Sequence, residues 1–266
     1  MLGPVVLALT RPPEGFHAPD VSAFDYTKTC LIGGGSYCIT KVSFWTLMSA
    51  VIIGALFFAA FRNPKIVPRG LQNAVESLIE FIRNGIIMET MGPEGLPFLP
   101  FLTALFVFIW VNNFYEVVPG IQFPTTATMS LAALLTLTVY LVFNVVGIVK
   151  QGGWHYIKGI MFPPGVPIPI YFLYTPIELV SVFLVRPLTL AVRLTANMIA
   201  GHLILATFFI GTWYLQWKVG TIPIAALSFS LGVFMTGFEV LVTLLQAYIF
   251  TILTAVYISG ALHPEH

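Results

Sequence analysis

Long apolar segments without charged residues dominate the pattern of this chain, and they predict membrane-spanning helices. Residues 43–61 contain no charged side chain and have about the length needed to cross a hydrocarbon core of roughly 30 Å. Two further apolar runs, 98–118 and 126–149, flank a turn at Pro119 and Gly120. The pattern predicts an N-terminal transmembrane helix and then a transmembrane hairpin with polar groups at its outer tip.

Residues 71–90 show a different periodicity. Apolar residues recur at helical spacing along one side of this segment, and amides and charges occupy the other side. The apolar positions are Leu71, Val75, Leu78, Ile79, Ile82 and Ile86, and the polar positions are Gln72, Asn73, Glu76, Glu80, Arg83 and Asn84. This pattern predicts an amphipathic helix that lies on the inner membrane surface.

Two apolar segments near the C-terminus, 170–210 and 222–262, are too long for ordinary spans. Each would measure about 60 Å as a helix, twice the membrane thickness. Neither contains a central polar turn long enough to reverse the chain. We therefore predict two long, steeply tilted helices that form a hairpin through a loop at 213–221. The proline- and glycine-rich residues 159–169 are predicted to form a loop before them.

Composition places the chain in the membrane class. Hydrophobic residues make up 58% of the sequence and charged residues only 9%, whereas soluble domains carry about a quarter charged residues. The predicted fold is therefore an all-α polytopic membrane protein with one membrane domain at 43–262 and tails at 1–42 and 263–266. The net charge of +1 leaves no basic stripe for nucleic acid, so no nucleic-acid partner is expected.

The distribution of positive charge predicts the orientation. Arg62, Lys65 and Arg69 follow the first span, whereas Lys28 and Lys41 precede it. By the positive-inside rule, the N-terminus lies outside and the C-terminus inside. The first apolar run, at 5–9, is too short for a signal peptide, so we expect the first span to direct insertion.

Two cysteines, Cys30 and Cys38, flank three glycines in the N-terminal tail. An oxidising compartment could join them in a disulfide, and both the reduced and the oxidised state stay open.

Arg193 is a permanent cation within a long apolar segment. A charge at bilayer depth costs roughly 2.5 to 3.5 kcal/mol on insertion scales, so such a residue usually marks an ion pathway. The alternative is a side chain that extends to the lipid headgroups. Asn197 lies one helical turn further on the same face as Arg193, which favours the pathway.

His202 and Glu239 provide the groups that a proton relay needs. Imidazole titrates near neutral pH, and burial can raise the pKa of a carboxylate towards that range. On this hypothesis His202 points towards Glu239 on the partner helix, and Gln246 shares a face with Glu239. The alternative is a buried polar pair that only holds two helices together, and single amides and hydroxyls such as Asn197 and Ser181 often do the same.

Several enzyme classes are excluded by counting. No aspartate follows Asp25, and the motifs HExxH and GxSxG are absent. His202 is the only histidine expected at mid-membrane depth, which leaves no pair of histidines to hold a haem. We expect no cofactor and no metal.

The stretch VRPLTLAVRLTANMIAGHL at 185–203 resembles the signature of subunit a of F-type ATP synthases. A second block, 239–257, which contains LQAYIF, is similar to the last helix of that family. The hairpin tip at 112–126 fits its earlier helices. The resemblance covers about residues 43–262.

The resemblance implies a stator subunit of the membrane sector, without a catalytic site of its own, beside a rotating ring of c subunits and b-type peripheral stalk subunits. Arg193 then matches the essential arginine that faces the ring carboxylate and keeps two aqueous half-channels apart. Glu239 and His202 match the outer half-channel pair, in the reverse order of some relatives. The other expected proton-pathway residues are Asn197, Gln246, Glu178 on the inner side, Ser181, Glu116 at the outer entrance, and Asn113.

Two other functions stay open on the sequence. An ion-coupled secondary transporter would also place charges at the membrane midplane, although it commonly shows repeated halves and broken helices. A purely structural membrane scaffold would tolerate neutral substitutions at Glu239 and His202. The expected location is a bacterial plasma membrane, with the mitochondrial inner membrane as the alternative, and the coupling ion, H⁺ or Na⁺, stays open.

Overall fold

A computed structural model describes residues 30–32, 39–118, 121, 125–161, 168–217 and 220–262. Two short antiparallel strands, β1 and β2, precede eight helices, α1 to α8. The strands are β1 Cys30–Ile32 and β2 Ile39–Thr40; the helices are α1 Lys41–Phe61, α2 Leu71–Ile82, α3 Leu99–Phe114, α4 Met129–Gln151, α5 Gly153–Met161, α6 Ile168–Val180, α7 Arg186–Leu215 and α8 Ile222–Leu262. Five described helical segments are long and apolar enough to span a membrane.

Helix α1 begins two residues before the predicted span. Thr40 caps it by accepting a hydrogen bond from the backbone N–H of Ser43. Only Ser49 and Ala60 are buried in this helix. Most of its apolar side chains therefore face lipid or another chain, whereas the partly buried Ile53 and Phe57 pack against the core of this one.

Helix α2 continues through a π-helical turn, Arg83–Ile87, and a last turn, Met88–Thr90, so the segment matches the predicted range of 71–90. One residue of the predicted polar side is buried. The amide of Gln72 accepts from the N–H of Lys65 and donates to its carbonyl, both at 3.0 Å. These two bonds satisfy the amide and hold the preceding loop against α2.

The hairpin contains less regular helix than the sequence predicts. A 3₁₀ segment, Gly92–Phe98, leads into α3, which ends at Phe114 rather than at residue 118. Residues 115–117 form turns, and a short 3₁₀ helix, Thr125–Ala127, precedes α4. Helix α4 ends two residues beyond the predicted span, where Gly152 adopts a positive φ of 82°.

The predicted loop at 159–169 is wrong at both ends. Helix α5 extends to Met161, and α6 begins at Ile168 despite its prolines. Residues 162–167 lie outside the described residues. Tyr156 of α5 packs where Gly147 of α4 has no side chain, because a Cβ there would overlap the tyrosine ring. This contact folds α5 back onto α4.

The two long segments form an antiparallel helical hairpin. Helices α6 and α7 are joined by a π-helical turn, Ser181–Val185, which the sequence did not predict. Helix α7 extends to Leu215, so the predicted loop at 213–221 is wrong for its first three residues. Helices α3 and α4 pack against this hairpin. The hydrophobic core lies between these helices and the second half of α2.

The all-α polytopic fold class is confirmed, with five long apolar helices. The position of α2 at the membrane surface, the tilt of the long hairpin, and the division into tails and a membrane domain stay predictions. Cys38 and most of the N-terminal tail lie outside the described residues, so the Cys30–Cys38 disulfide stays a prediction as well.

Candidate functional site

Three ionisable side chains from three elements meet beside the hairpin tip. Glu116 lies in the turn after α3, His202 on α7 and Glu239 on α8. The Nδ1 atom of His202 lies 3.7 Å from the Oε1 atom of Glu116. Glu116 is 2% exposed and Glu239 is 5% exposed. We call Glu116, His202 and Glu239 the outer cluster.

Gly201 makes room for the carboxylate of Glu239. A Cβ at position 201 would overlap both carboxylate oxygens of Glu239. The glycine therefore lets the acid lie directly against the backbone of α7, next to His202 in sequence. The sequence predicted that His202 points towards Glu239; in the structure the imidazole contacts Glu116, and Glu239 lies against the neighbouring Gly201.

Burial keeps Glu116 neutral. Glu116 lies beyond the last residue of the span, Phe114. Desolvation raises the pKa of Glu116 from 4.5 to about 9, and the nearby carboxylate of Glu239 adds to that rise. Neither carboxylate oxygen of Glu116 has a hydrogen-bond partner among the described residues. A neutral acid beside an imidazole can give and take a proton, which is the chemistry of a relay.

Two amides bound the outer cluster on the side of α3. Asn113 is fully buried and its Oδ1 accepts a hydrogen bond from the hydroxyl of Thr126 at 2.5 Å. Asn112 donates to Ser49 of α1 at 2.9 Å and accepts from Thr125. The described residues of the hairpin tip are therefore polar, as predicted, but these polar groups are buried between helices.

Arg193 lies on the exposed side of α7. It is exposed, and the ion pairs of the described residues do not include it. Ala196 and Ala200, which are also exposed, lie on the same helix face. A permanent cation on a face of small residues is accessible to a partner that approaches closely.

The register of the long hairpin places Arg193 between two polar regions. Gly201 lies against Glu239, and the hydroxyl of Ser228 donates to the carbonyl of Phe208 at 3.0 Å. Because antiparallel helices rise equally, the Gly201–Glu239 contact places Arg193 level with Ala247 and the Phe208–Ser228 contact places it level with Thr243, so Gln246 lies within about one turn of its level. Gln246 is 5% exposed, and its Nε2 has no hydrogen-bond partner among the described residues.

Asn197 is half-buried between Arg193 and the outer cluster. Its Nδ2 atom is buried and has no hydrogen-bond partner in the described part of the chain. A buried amide that pairs with no protein group is unfavourable in a packed core, so its presence here fits a functional position.

A second charged group lies at the other end of the hairpin. Arg186 at the start of α7 forms an ion pair with Glu178 of α6 at 2.9 Å, and its guanidinium lies 5.7 Å from the ring centre of Tyr257 on α8. Ser181 begins the π-helical turn between the two charged residues. We call Glu178, Arg186 and Tyr257 the inner cluster. It lies about 10 Å along α7 from Arg193.

The sequence did not single out Arg186 and Tyr257 of the inner cluster, nor Gly201, against which Glu239 lies. Arg186 carried a signal, because it is a second cation in the same apolar segment. Gly201 carried none, since a glycine in a helix has many causes. Tyr257 is one of ten tyrosines. Among the described residues no group of His, Cys, Asp and Glu side chains could hold a metal ion.

Comparison with known proteins places these residues in a recognised family. The family model described as ATP synthase A chain matches residues 43–259. The chain is 40% identical to ATP synthase subunit a of Rhodococcus erythropolis, over 96% of this chain and 94% of that protein. It is 39% identical to ATP synthase subunit a of Hyphomonas neptunium, over 92% of this chain and 96% of that protein. Both clusters and Arg193 lie within the matched range.

Proposed function

The chain belongs to the ATP synthase A chain family, the proton-translocating stator subunits of the ATP synthase membrane sector, and we propose that Arg193 is its stator cation. On this proposal, Arg193 faces the carboxylates of a rotating ring of c subunits. The alternative of an ion-coupled secondary transporter is not favoured by this membership.

One observation carries the proposal: an exposed permanent cation within an apolar helix. A guanidinium at bilayer depth is unfavourable unless an anion or water meets it. The described residues provide no ion-pair partner for Arg193. A carboxylate on another chain would supply the anion, and the adjacent Ala196 and Ala200 allow another helix to approach closely.

The two clusters lie in two half-channels, one on each side of Arg193. Protons enter from the outer side through the outer cluster, with Asn113 at its border. On the opposite side they leave past Glu178 and Ser181. Asn197 lies one helical turn from Arg193 and Gln246 lies near its level, both beneath the surface that the ring carboxylate passes.

Arg193 keeps the two half-channels apart by electrostatics. Its charge cannot be lost, so it cannot pass a proton onward. Its field attracts a deprotonated ring carboxylate and repels a proton that approaches from either side. The carboxylate can leave Arg193 only by taking a proton from one half-channel, and this couples proton flow to rotation.

The remaining parts of the proposal concern the assembly. This integral membrane protein is part of the ATP synthase complex, and we place b-type peripheral stalk subunits beside it and the catalytic sites on other chains. We place it in a bacterial plasma membrane, because the curated relatives named above are bacterial. The N-terminus lies outside and the C-terminus inside, as the positive residues after α1 favour.

Cysteine crosslinking in the intact complex tests the proposal. Ala196→Cys and Ala200→Cys, on the face of Arg193, should each crosslink to a small hydrophobic subunit. Leu137→Cys is the matched control, since Leu137 is 51% exposed but lies on α4 rather than on α7. Crosslinks from Leu137→Cys alone, or from none of the three, would show that the ring does not contact this surface.

A further inference from the structure

Two adjacent asparagines at the end of α3 are held by two adjacent threonines. The hydroxyl of Thr125 donates to the Oδ1 atom of Asn112 at 2.9 Å, and the hydroxyl of Thr126 donates to the Oδ1 atom of Asn113 at 2.5 Å. All four side chains are 0% exposed. We call these four residues the outer clasp. It joins the end of α3 to the segment that begins α4.

The outer clasp is connected directly to Glu116. The backbone N–H of Glu116 donates to the carbonyl of Asn113 at 3.1 Å, so the position of Asn113 sets the start of the turn that carries the acid. On the other side, the 3₁₀ helix Thr125–Ala127 packs against α7, which carries His202. A single set of contacts therefore links the backbone of Glu116 to the helix of His202.

Glu116 is surrounded by groups whose distances from it affect proton transfer. His202 faces it from α7, Glu239 approaches from α8, and Tyr115 precedes it in the same turn. Helix α1 contributes the ring of Trp45, which lies 5.2 Å from the ring of Tyr115 and carries no charge. A shift of the turn would change the distances of Glu116 to an imidazole and to a like charge together, and both distances control proton transfer.

Hydrogen-bonded polar side chains in a core specify one geometry, and the Oδ1 atoms of both asparagines are bonded here, whereas the Nδ2 atom of Asn113 has no hydrogen-bond partner among the described residues. Hydrogen bonds between buried side chains are strong because the local dielectric is low, and they hold a fixed direction as well as a distance. Apolar residues of the same shape could fill this space, but they would not fix the direction of the side chains. We propose, on the basis of the proposed function, that Thr125 and Thr126 are positioning residues that hold Glu116 against His202 in the outer half-channel.

The test uses the complete ATP synthase in proteoliposomes, with ATP synthesis measured against the pH on the Glu116 side at a fixed membrane potential. Thr126→Val keeps the shape of the side chain and removes the hydroxyl, whereas Thr126→Ser keeps the hydroxyl. Thr138→Val is the control, since the exposed Thr138 bonds only to the carbonyl of Leu134 in its own helix.

We expect Thr126→Val to lower the rate roughly fivefold, the effect of one lost hydrogen bond. The alkaline limit of its pH profile should move to lower pH, because a released Glu116 gains solvent and moves away from Glu239. Thr126→Ser and Thr138→Val should keep the wild-type profile.

Two results would overturn the positioning role. One is an assembled Thr126→Val complex with the wild-type pH profile. The other is a Thr126→Val chain that fails to assemble, which would make the hydroxyl a requirement of folding. The proposed function is tested separately by Arg193→Ala, so its failure and that of the outer clasp are distinguishable.

Discussion

The imidazole of His202 and the carboxyl group of Glu116 approach to 3.7 Å between the middle of α7 and the turn after α3. This distance is slightly longer than a hydrogen bond, and a small rotation of either side chain would close it. Because Glu239 lies on the other side of the same cluster, a proton that reaches Glu116 has two further acceptors nearby. The contact defines the outer end of the proposed proton path.

Glu116→Gln should remove a titration from the pH profile. Burial raises the pKa of Glu116 to about 9, so the acid stays protonated at neutral pH and ionises only as the pH rises through about 9. The wild-type rate of ATP synthesis should therefore fall as the pH on the outer side rises through about 9. Glu116→Gln should lack this limb and run roughly tenfold slower, since an amide cannot relay a proton.

The same shift in pKa has a consequence for stability. Glu116 binds a proton in the folded protein but not in the unfolded chain between pH 4.5 and about 9, so unfolding becomes easier as the pH rises through that window. Glu116→Gln should flatten the pH dependence of the melting temperature there. Glu116→Asp, which keeps an acid, should retain it. Equal slopes for all three proteins would contradict a raised pKa.

Gly201→Ala should displace the carboxylate of Glu239. The added methyl group would overlap it, and overpacking in a well-packed core typically costs about 1–3 kcal/mol. We expect coupled ATP synthesis to fall at least roughly tenfold in an assembled complex. Gly211→Ala on the same helix is the control, because its nearest neighbour, the hydroxyl of Ser228, lies at 3.7 Å. Similar rates for the two variants would argue against a role for this contact.

Glu178→Gln should affect transport more than stability. The ion pair with Arg186 is partly exposed, so its loss should change the free energy of unfolding by less than about 1 kcal/mol. As an inner half-channel residue, however, Glu178 should be needed for proton transfer, and ATP-driven proton pumping should fall several-fold. Glu89→Gln, on the exposed end of the α2 segment, is the control. A Glu178→Gln variant that pumps like the control would remove Glu178 from the path.

Gly147→Ala should loosen α5. The new methyl group would overlap the ring of Tyr156, and we expect a loss of stability of about 1–3 kcal/mol. Tyr156→Phe removes only a long hydrogen bond to Asn144, at 3.4 Å, and should lose less than about 1 kcal/mol. Thermal melting of the purified complex distinguishes the two. A larger loss of stability in Tyr156→Phe than in Gly147→Ala would show that the hydroxyl, rather than the fit of the ring, holds α5.

The sequence predicted the parts of the fold that follow from local periodicity. Five apolar helices were recognised from the length of their apolar runs, and the amphipathic segment at 71–90 was recognised from the helical period of its apolar side chains. The π-helical turn at 181–185 was missed, since one extra residue per turn leaves the composition of an apolar segment unchanged. Helix α5 was missed because the proline- and glycine-rich run at 159–169 favoured a loop over its last three residues, whereas the contact between Tyr156 and Gly147 stabilises a helix there.

The candidate site was predicted less completely, for a similar reason. Arg193, His202 and Glu239 stand out as ionisable residues in apolar segments, which is a local signal. The contact between Glu116 and His202 joins residues far apart in the chain, and helical spacing alone cannot reveal it. The outer clasp likewise depends on how the turn between α3 and α4 closes, which no spacing of residues encodes.

The most direct test of the central claim is proton-coupled ATP synthesis by the complete enzyme with Arg193→Ala. If Arg193 separates two half-channels, synthesis should fall to background while the complex stays assembled and its membrane leaks protons. Thr189→Ala, one turn away on the same exposed face, should keep the wild-type rate. An assembled Arg193→Ala enzyme that makes ATP at the wild-type rate, without a proton leak, would contradict the account.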